Sequence, residues 1–320
     1  GLVVAEGERW KEQRKFVSAN LRNYGVVKIG SKRTNMEQRI MYGVKEAVQM
    51  LRECEGPLDP CEILMHSMGN ILNFLLLGKR WAMDDPAWVW LRKIAEEGVK
   101  LIGVAGPLNF LPFLRWLPQY KNVLKFLLEG KEKSHKMYDE VLAEVESKNG
   151  GIDGGDHLGA VFLREMAKGR GGHFTIPQLH HLIADLWGAG VDTTLTTLRW
   201  FLLYITLHTE YQDKIREELK EVVGVRDWPT LEDCQAVPFL EASIAEAQRI
   251  RSVVPLEAKI GEYRIPKGAM VVPLQWAVHM DPKVWPQPQV FSPYRFINEQ
   301  GQFFKPESFM PFQSGKTQFS

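Results

Sequence analysis

Through the first two thirds of the chain, apolar residues recur three and four positions apart and strand-type alternation is scarce, so the pattern predicts helices. The periodic segments run over 5–20, 35–54, 60–78, 86–102, 118–147, 157–168, 176–208, 210–223 and 239–251. Between the fifth and sixth of these lies Asn149-Gly150-Gly151-Ile152-Asp153-Gly154-Gly155-Asp156, too rich in glycine to hold a helix, which reads as a flexible surface loop. Beyond residue 260 the pattern changes: Glu262-Tyr263-Arg264-Ile265, a Pro266-Lys267-Gly268 turn and Ala269-Met270-Val271-Val272 read as a hairpin. From Pro282 to Pro311, Pro286, Pro288, Pro293 and Pro306 also intervene and forbid long regular elements, which leaves a coil that side chains must pin. The expected fold is mainly α, with a small β-hairpin region near the C-terminus.

Composition narrows the function classes. The chain has 320 residues, 45% apolar and 25% charged, which suits a globular protein with a large core. Its 40 Lys and Arg against 39 Asp and Glu give a formal net charge of +1, so no global field favours nucleic acid or anionic lipid. Cys54, Cys61 and Cys234 are too few and too scattered for a disulfide framework, and no spacing offers a zinc site, so no metal ligands are assigned and a reducing compartment is the default. No apolar run reaches the roughly 18 to 20 residues of a bilayer crossing, so no membrane anchor is expected within these residues. A start at Gly-Leu-Val-Val and an end at Gln-Phe-Ser read as those of a fragment.

One helix stands apart. Thr175-Ile176-Pro177-Gln178 has the spacing of a capping box with proline in the first turn, and a helix from there to His208 would be a rod of roughly 50 Å. Its centre, Gly188-Ala189-Gly190-Val191-Asp192-Thr193-Thr194, is weak, because each interior glycine costs about 1 kcal/mol relative to alanine. Two readings stand side by side: a helix break capped by Asp192 or Thr193, or an unbroken helix whose missing side chains admit a flat ligand near an acid and a hydroxyl that carry protons. Of these the unbroken helix, with Gly190 and Thr193 facing inward, is the expectation.

Further along, Glu246 and Arg249 lie three apart on an amphipathic helix, and Arg295 lies in Phe291-Ser292-Pro293-Tyr294-Arg295-Phe296. An arginine in a proline-rich coil is suited to fasten that coil to a helix carboxylate, because its fork bonds in two directions. Near the start, Trp10 and Arg14 share one helix face. In this order the pieces resemble the cytochrome P450 family of haem-thiolate monooxygenases, over nearly the whole chain as a single domain. Shorter features, Gly7-Glu8-Arg9-Trp10, Leu111-Pro112-Phe113 and Tyr263-Arg264-Ile265-Pro266-Lys267-Gly268, resemble the microsomal branch that includes arthropod ecdysteroid hydroxylases.

The resemblance implies an all-α P450 fold without its anchor, first sheet and earliest helices. It implies haem as cofactor, with Trp10, Arg14, Ala189, Gly190 and Phe312 on the cofactor side, Asp192 and Thr193 as proton carriers, and Glu246, Arg249 and Arg295 as a structural triad. The implied activity is monooxygenation of a small lipophilic substrate, a steroid included, with electrons from NADPH through a cytochrome reductase. That partner would face a basic patch of Arg9, Lys11, Arg14 and Lys15, and the full-length protein would sit at the cytosolic face of the endoplasmic reticulum. Two departures matter. The family's ligand loop reads F-x-x-G-x-R-x-C-x-G, whereas this chain reads Phe312-Gln313-Ser314-Gly315-Lys316-Thr317-Gln318-Phe319-Ser320, with Thr317 in place of the arginine and Phe319 in place of the cysteine. After Leu256 a histidine-bearing segment of the family is missing. Together these raise an alternative, a non-catalytic variant that cannot ligate haem iron.

Overall fold

The computed structural model describes residues 1–3, 5–27, 30–102, 108, 111–148, 156–169, 172–253 and 275–311. The expected hairpin at 262–272, most of the 149–156 loop, and Phe312 and Phe319 lie outside them. Ten α-helices are described: α1 Gly7–Tyr24, α2 Ser31–Glu53, α3 Cys61–Leu77, α4 Pro86–Ile102, α5 Pro118–Lys148, α6 Leu158–Ala167, α7 Ile176–Leu207, α8 Thr209–Val223, α9 Pro238–Ile250 and α10 Gln275–His279. Among the described residues the only β-pairing is a single bridge between Ile297 and Phe303. No described helix is long and apolar enough to cross a membrane.

Two helices differ from the periodic reading by more than one residue. Helix α1 begins and ends later than 5–20, closing on Gly25 at φ 103°, whose N–H bonds the Arg22 carbonyl 3.2 Å away. Left-handed backbone is open to glycine there, and a side chain would also strike the Lys32 carbonyl. Helix α2 begins four residues before 35, because its first turn, Ser31 to Thr34, has no apolar residue to register a period.

The chain forms two compact units, Gly1–Asp192 and Thr193–Ser320, with α7 continuing from one into the other. In the first, α3 is the central helix and packs against α2, α5 and α6. Residues on several of its faces are buried, among them Ile63, Met65, Gly69, Asn73 and Leu75 to Leu77. Its start is fixed by Asp59, whose Oδ1 accepts the Cys61 N–H at 2.9 Å, and its end by Gly78 at φ 73°. A Cβ on Gly69 would come within 2.5 Å of the fully buried Trp88 ring, so the glycine makes room for that indole. Asn70 then stands in for a strand partner: its Oδ1 accepts the Trp81 N–H at 3.0 Å and its Nδ2 donates to the Trp81 carbonyl at 2.8 Å. That fastens the turn after α3 to the helix without exposing backbone polar groups.

In the second unit, α8 prepares the start of α9. Glu218 accepts the N–H groups of Phe239 and Leu240 at 2.9 and 3.0 Å, which places a carboxylate on the positive end of α9 behind Pro238 in its first turn. One side of α9 packs Phe239, Ala247 and Ile250 with Ile205, Ile215 and Phe291; another packs Ala242 and Ala245 with Trp285, Phe296 and Phe309. The proline-rich coil is thus wrapped on a helix that is buried on most of its surface.

Candidate functional site

Helix α7 is unbroken from Ile176 to Leu207, so the weak centre is carried through and the capped-break reading is excluded. The capping box forms by half: Thr175 Oγ1 accepts the Gln178 N–H at 3.4 Å, but the Gln178 amide turns to the backbone of Gly1. At Gly190 the space left by the missing side chain is filled, since a Cβ there would lie 2.6 Å from Leu72 Cδ1. Gly188 has no such neighbour, and Ala189 and Asp192 are exposed. Gly190 therefore lets α3 approach closely.

Beyond Asp192, Thr193, Thr194, Thr197 and Leu198 form one wall of a cavity of about 240 Å³. Spacings of four residues bring these side chains to one face. Ile244, Gln248 and Arg251 on and just beyond α9 form the facing wall, and Val253 and Pro311 complete it. Thr197 Oγ1 donates to the Thr193 carbonyl at 3.0 Å, so its hydroxyl turns back on its own helix. Thr193 is thus on the cavity wall, and Pro311 brings the residue before Phe312 to the same space.

Glu246, Arg249 and Arg295 are brought together. Arg249 donates from Nε and Nη2 to the two carboxylate oxygens of Glu246 at 2.7 and 2.8 Å, a bidentate pair with both residues fully buried. Its remaining donors reach the coil: Nη1 bonds the His279 carbonyl at 2.6 Å, and Nη2 bonds the Pro288 carbonyl at 2.8 Å. Glu246 in turn accepts the Ser292 N–H at 3.0 Å and Arg295 Nε at 3.3 Å. A buried charge pair survives only when its other donors and acceptors are satisfied, and here the coil satisfies them.

His279 joins this cluster as a satisfied core histidine, although no pattern in the sequence assigns it there. It is fully buried, with Nδ1 3.0 Å from Ser252 Oγ and Nε2 accepting the Met310 N–H at 3.0 Å. Because Nε2 must accept, Nδ1 carries the proton and donates to Ser252, so the imidazole cannot serve as a base for that hydroxyl. Burial, then the neighbouring Arg249 charge, hold its pKa down to about 4. A lone histidine in an aperiodic stretch leaves no pattern.

In the first unit Trp10 and Arg14 also meet, the guanidinium lying 5.0 Å from the indole centroid. The donor set can be tested against haem iron. Among the described residues that line the cavity, none is a cysteine or histidine. The three cysteines stand elsewhere, Cys54 and Cys234 exposed and Cys61 half-buried, and a phenyl ring at the Phe319 position has no lone pair to offer a metal. No described group of side chains could hold a metal ion. The residues present therefore do not fit a thiolate-ligated haem.

The sequence nevertheless has clear relatives. The cytochrome P450 family model matches residues 1–318. Cytochrome P450 306a1 of Drosophila melanogaster is 34% identical, the match covering 98% of this chain and 65% of that protein. Cytochrome P450 18a1 of the same fly is 30% identical over 99% of the chain and 62% of the relative, and human cytochrome P450 2U1 is 32% identical over 99% and 60%. The chain thus spans a little under two thirds of the length of the relatives it matches. With the family model matched almost from end to end, and with a mainly helical architecture, this chain belongs to the cytochrome P450 family, whose cofactor is haem.

Proposed function

We propose that this chain is the helical body of a haem-dependent monooxygenase that hydroxylates a small lipophilic substrate, steroids being the class the sequence resemblance suggests, with NADPH electrons passed through a reductase. One observation carries the reading: the cavity bounded by Thr193 on α7 and by Pro311 at the end of the coil. The resemblance assigns Thr193 to proton delivery and the residues from Phe312 on to the ligand loop, and Thr193 and Pro311, the residue before that loop, border one space. Asp192 is exposed and Thr193 lines the cavity, and the resemblance suggests this pair as proton carriers. Trp10 and Arg14 are the proposed holders of a cofactor carboxylate, and the resemblance adds Ala189, Gly190 and Phe312 as cofactor residues. The basic patch around Arg9, Lys11, Arg14 and Lys15 is the proposed reductase face, and the full-length protein is placed at the endoplasmic reticulum membrane.

Phe319 favours a second reading for the chain as it stands: a non-catalytic variant that keeps the pocket and lacks the iron ligand. The two readings part in one experiment. Purified chain is given haem, reduced and exposed to carbon monoxide, beside a repaired chain with a family-type loop in place of residues 317–320 and the segment after Leu256 restored. The repaired chain is expected to show the thiolate-type Soret band and the unmodified chain to lack it. A repaired chain that folds by circular dichroism but takes up no haem would refute the monooxygenase body; a thiolate band from the unmodified chain would refute the variant reading.

A further inference from the structure

We propose that Met280 is an oxidation site whose sulfoxide tightens the Glu246–Arg249 cluster, so that peroxide strengthens the hold of α9 on the proline-rich coil. The proposal goes beyond the monooxygenase reading and does not rest on it. A guanidinium has five N–H donors. In Arg249 four of them meet oxygen: Nε and Nη2 meet Glu246 at 2.7 and 2.8 Å, Nη2 also meets the Pro288 carbonyl at 2.8 Å, and Nη1 meets the His279 carbonyl at 2.6 Å. The fifth, also on Nη1, is directed at Met280 Sδ, 3.8 Å away. A thioether sulfur is a weak acceptor, so one donor of a fully buried cation is served poorly where the other four are served well.

Met280 itself is half-buried, a degree of exposure that admits an oxidant as small as hydrogen peroxide. A sulfur lone pair attacks one peroxide oxygen, the O–O bond breaks, and the proton of the attacked oxygen passes to the departing one, which gives sulfoxide and water. Sulfur loses two electrons and peroxide gains them. Methionine sulfoxide ordinarily disrupts a core, because it sets a polar group among apolar ones. Here the sulfur already faces a cation, and the new oxygen is a strong acceptor for the donor that lacked one. The gap of 3.8 Å has room for it, since an S–O bond and an N–H···O bond of ordinary length, joined at a bent angle, span that distance. Sulfoxide reductases, one for each epimer, reverse the step.

The test is amide hydrogen exchange of the whole chain before and after treatment with hydrogen peroxide, read by mass spectrometry on peptides spanning residues 276–292, with the added oxygen located on the same peptides. Once Met280 is oxidised, exchange there is expected to slow about 3- to 10-fold, the effect of replacing one weak bond by one from a charged donor to a strong acceptor. Both sulfoxide reductases with a thiol should then return it to the starting rate. Met280→Leu, which keeps the bulk and loses the sulfur, should show no slowing under the same treatment, although the other methionines take up oxygen as before. A Met280 that stays reduced while the other half-buried methionines are oxidised would overturn the site. Unchanged or faster exchange after oxidation, the same slowing in Met280→Leu, or a slowing that outlasts the reduction of Met280 would overturn the tightening.

Discussion

Replacing Glu246 by glutamine changes almost no volume and removes one charge. In the parent, its two oxygens accept four hydrogen bonds, from Arg249 Nε and Nη2, the Ser292 N–H and Arg295 Nε. Glutamine keeps one oxygen and turns an NH2 toward groups that are all donors, while Arg249 stays fully buried with its charge uncompensated. Breaking a buried pair from one side costs about 3–5 kcal/mol, and since no cavity is left, Glu246→Gln belongs near 3 kcal/mol and Glu246→Ala near 5. Arg295→Gln should cost only about 1 kcal/mol, because that side chain is partly exposed and its contact is the longest of the four. The assay is urea unfolding, followed by far-ultraviolet circular dichroism and by tryptophan fluorescence, since Trp285 lies 5.2 Å from the Arg249 guanidinium carbon. Glu246→Leu with Arg249→Met should be less destabilised than the two single changes added together, by about 2 kcal/mol or more. A Glu246→Gln protein within about 0.5 kcal/mol of the parent, or single costs that simply add, would refute the reasoning.

Two further outcomes are expected. Asn70→Ala should destabilise the protein by about 2–3 kcal/mol in the same denaturant assay, because it strips the buried Trp81 N–H of its acceptor and its carbonyl of one of its donors; a loss under about 1 kcal/mol would mean that the turn is held in another way. Stability should also fall as pH drops from about 6.5 to 4. His279 and His135 titrate near 4 in the fold, the first lowered by burial and Arg249, the second by burial and then by His180 and His181, whereas an unfolded histidine takes its proton near 6.5. The unfolded chain thus binds protons that the folded chain refuses, so stability is full above the unfolded value and lost below it. A denaturation midpoint that stays flat from pH 7.5 to 4.5 would contradict this.

The helices were legible because their apolar faces repeat; the start of α2 was not, because its first turn lacks such a face, and the last turn of α1 was missed although Tyr24 is buried there. The ion cluster was legible for a different reason: two charges three apart on a helix and an arginine in a proline-rich coil constrain each other chemically. What could not be read is long-range and one-sided. Nothing in the residues around Gly190 says that Leu72 fills its space, and nothing near His279 says that its two nitrogens bond Ser252 and Met310. The cavity was half visible. Thr193 was named from its motif, whereas Gln248 on α9 and Arg251 at its C-cap border the cavity through packing that a single sequence does not display.

Arg249 closes the chain on itself across 30 residues to the His279 carbonyl and 39 to the Pro288 carbonyl, the spans over which a secreted protein would set a disulfide. The two devices act on opposite sides of the folding equilibrium. A disulfide persists after unfolding and, in the chain-entropy account, stabilises by shrinking the freedom of the unfolded ensemble. The guanidinium lets go when the fold does, so the unfolded chain keeps all its freedom and the whole contribution is made in the native state. A non-covalent staple of this kind is indifferent to thiol–disulfide poise, and its grip is all-or-none. The proline-rich segment has almost no regular structure of its own, so the contacts through which it is held end together with the burial of a single side chain.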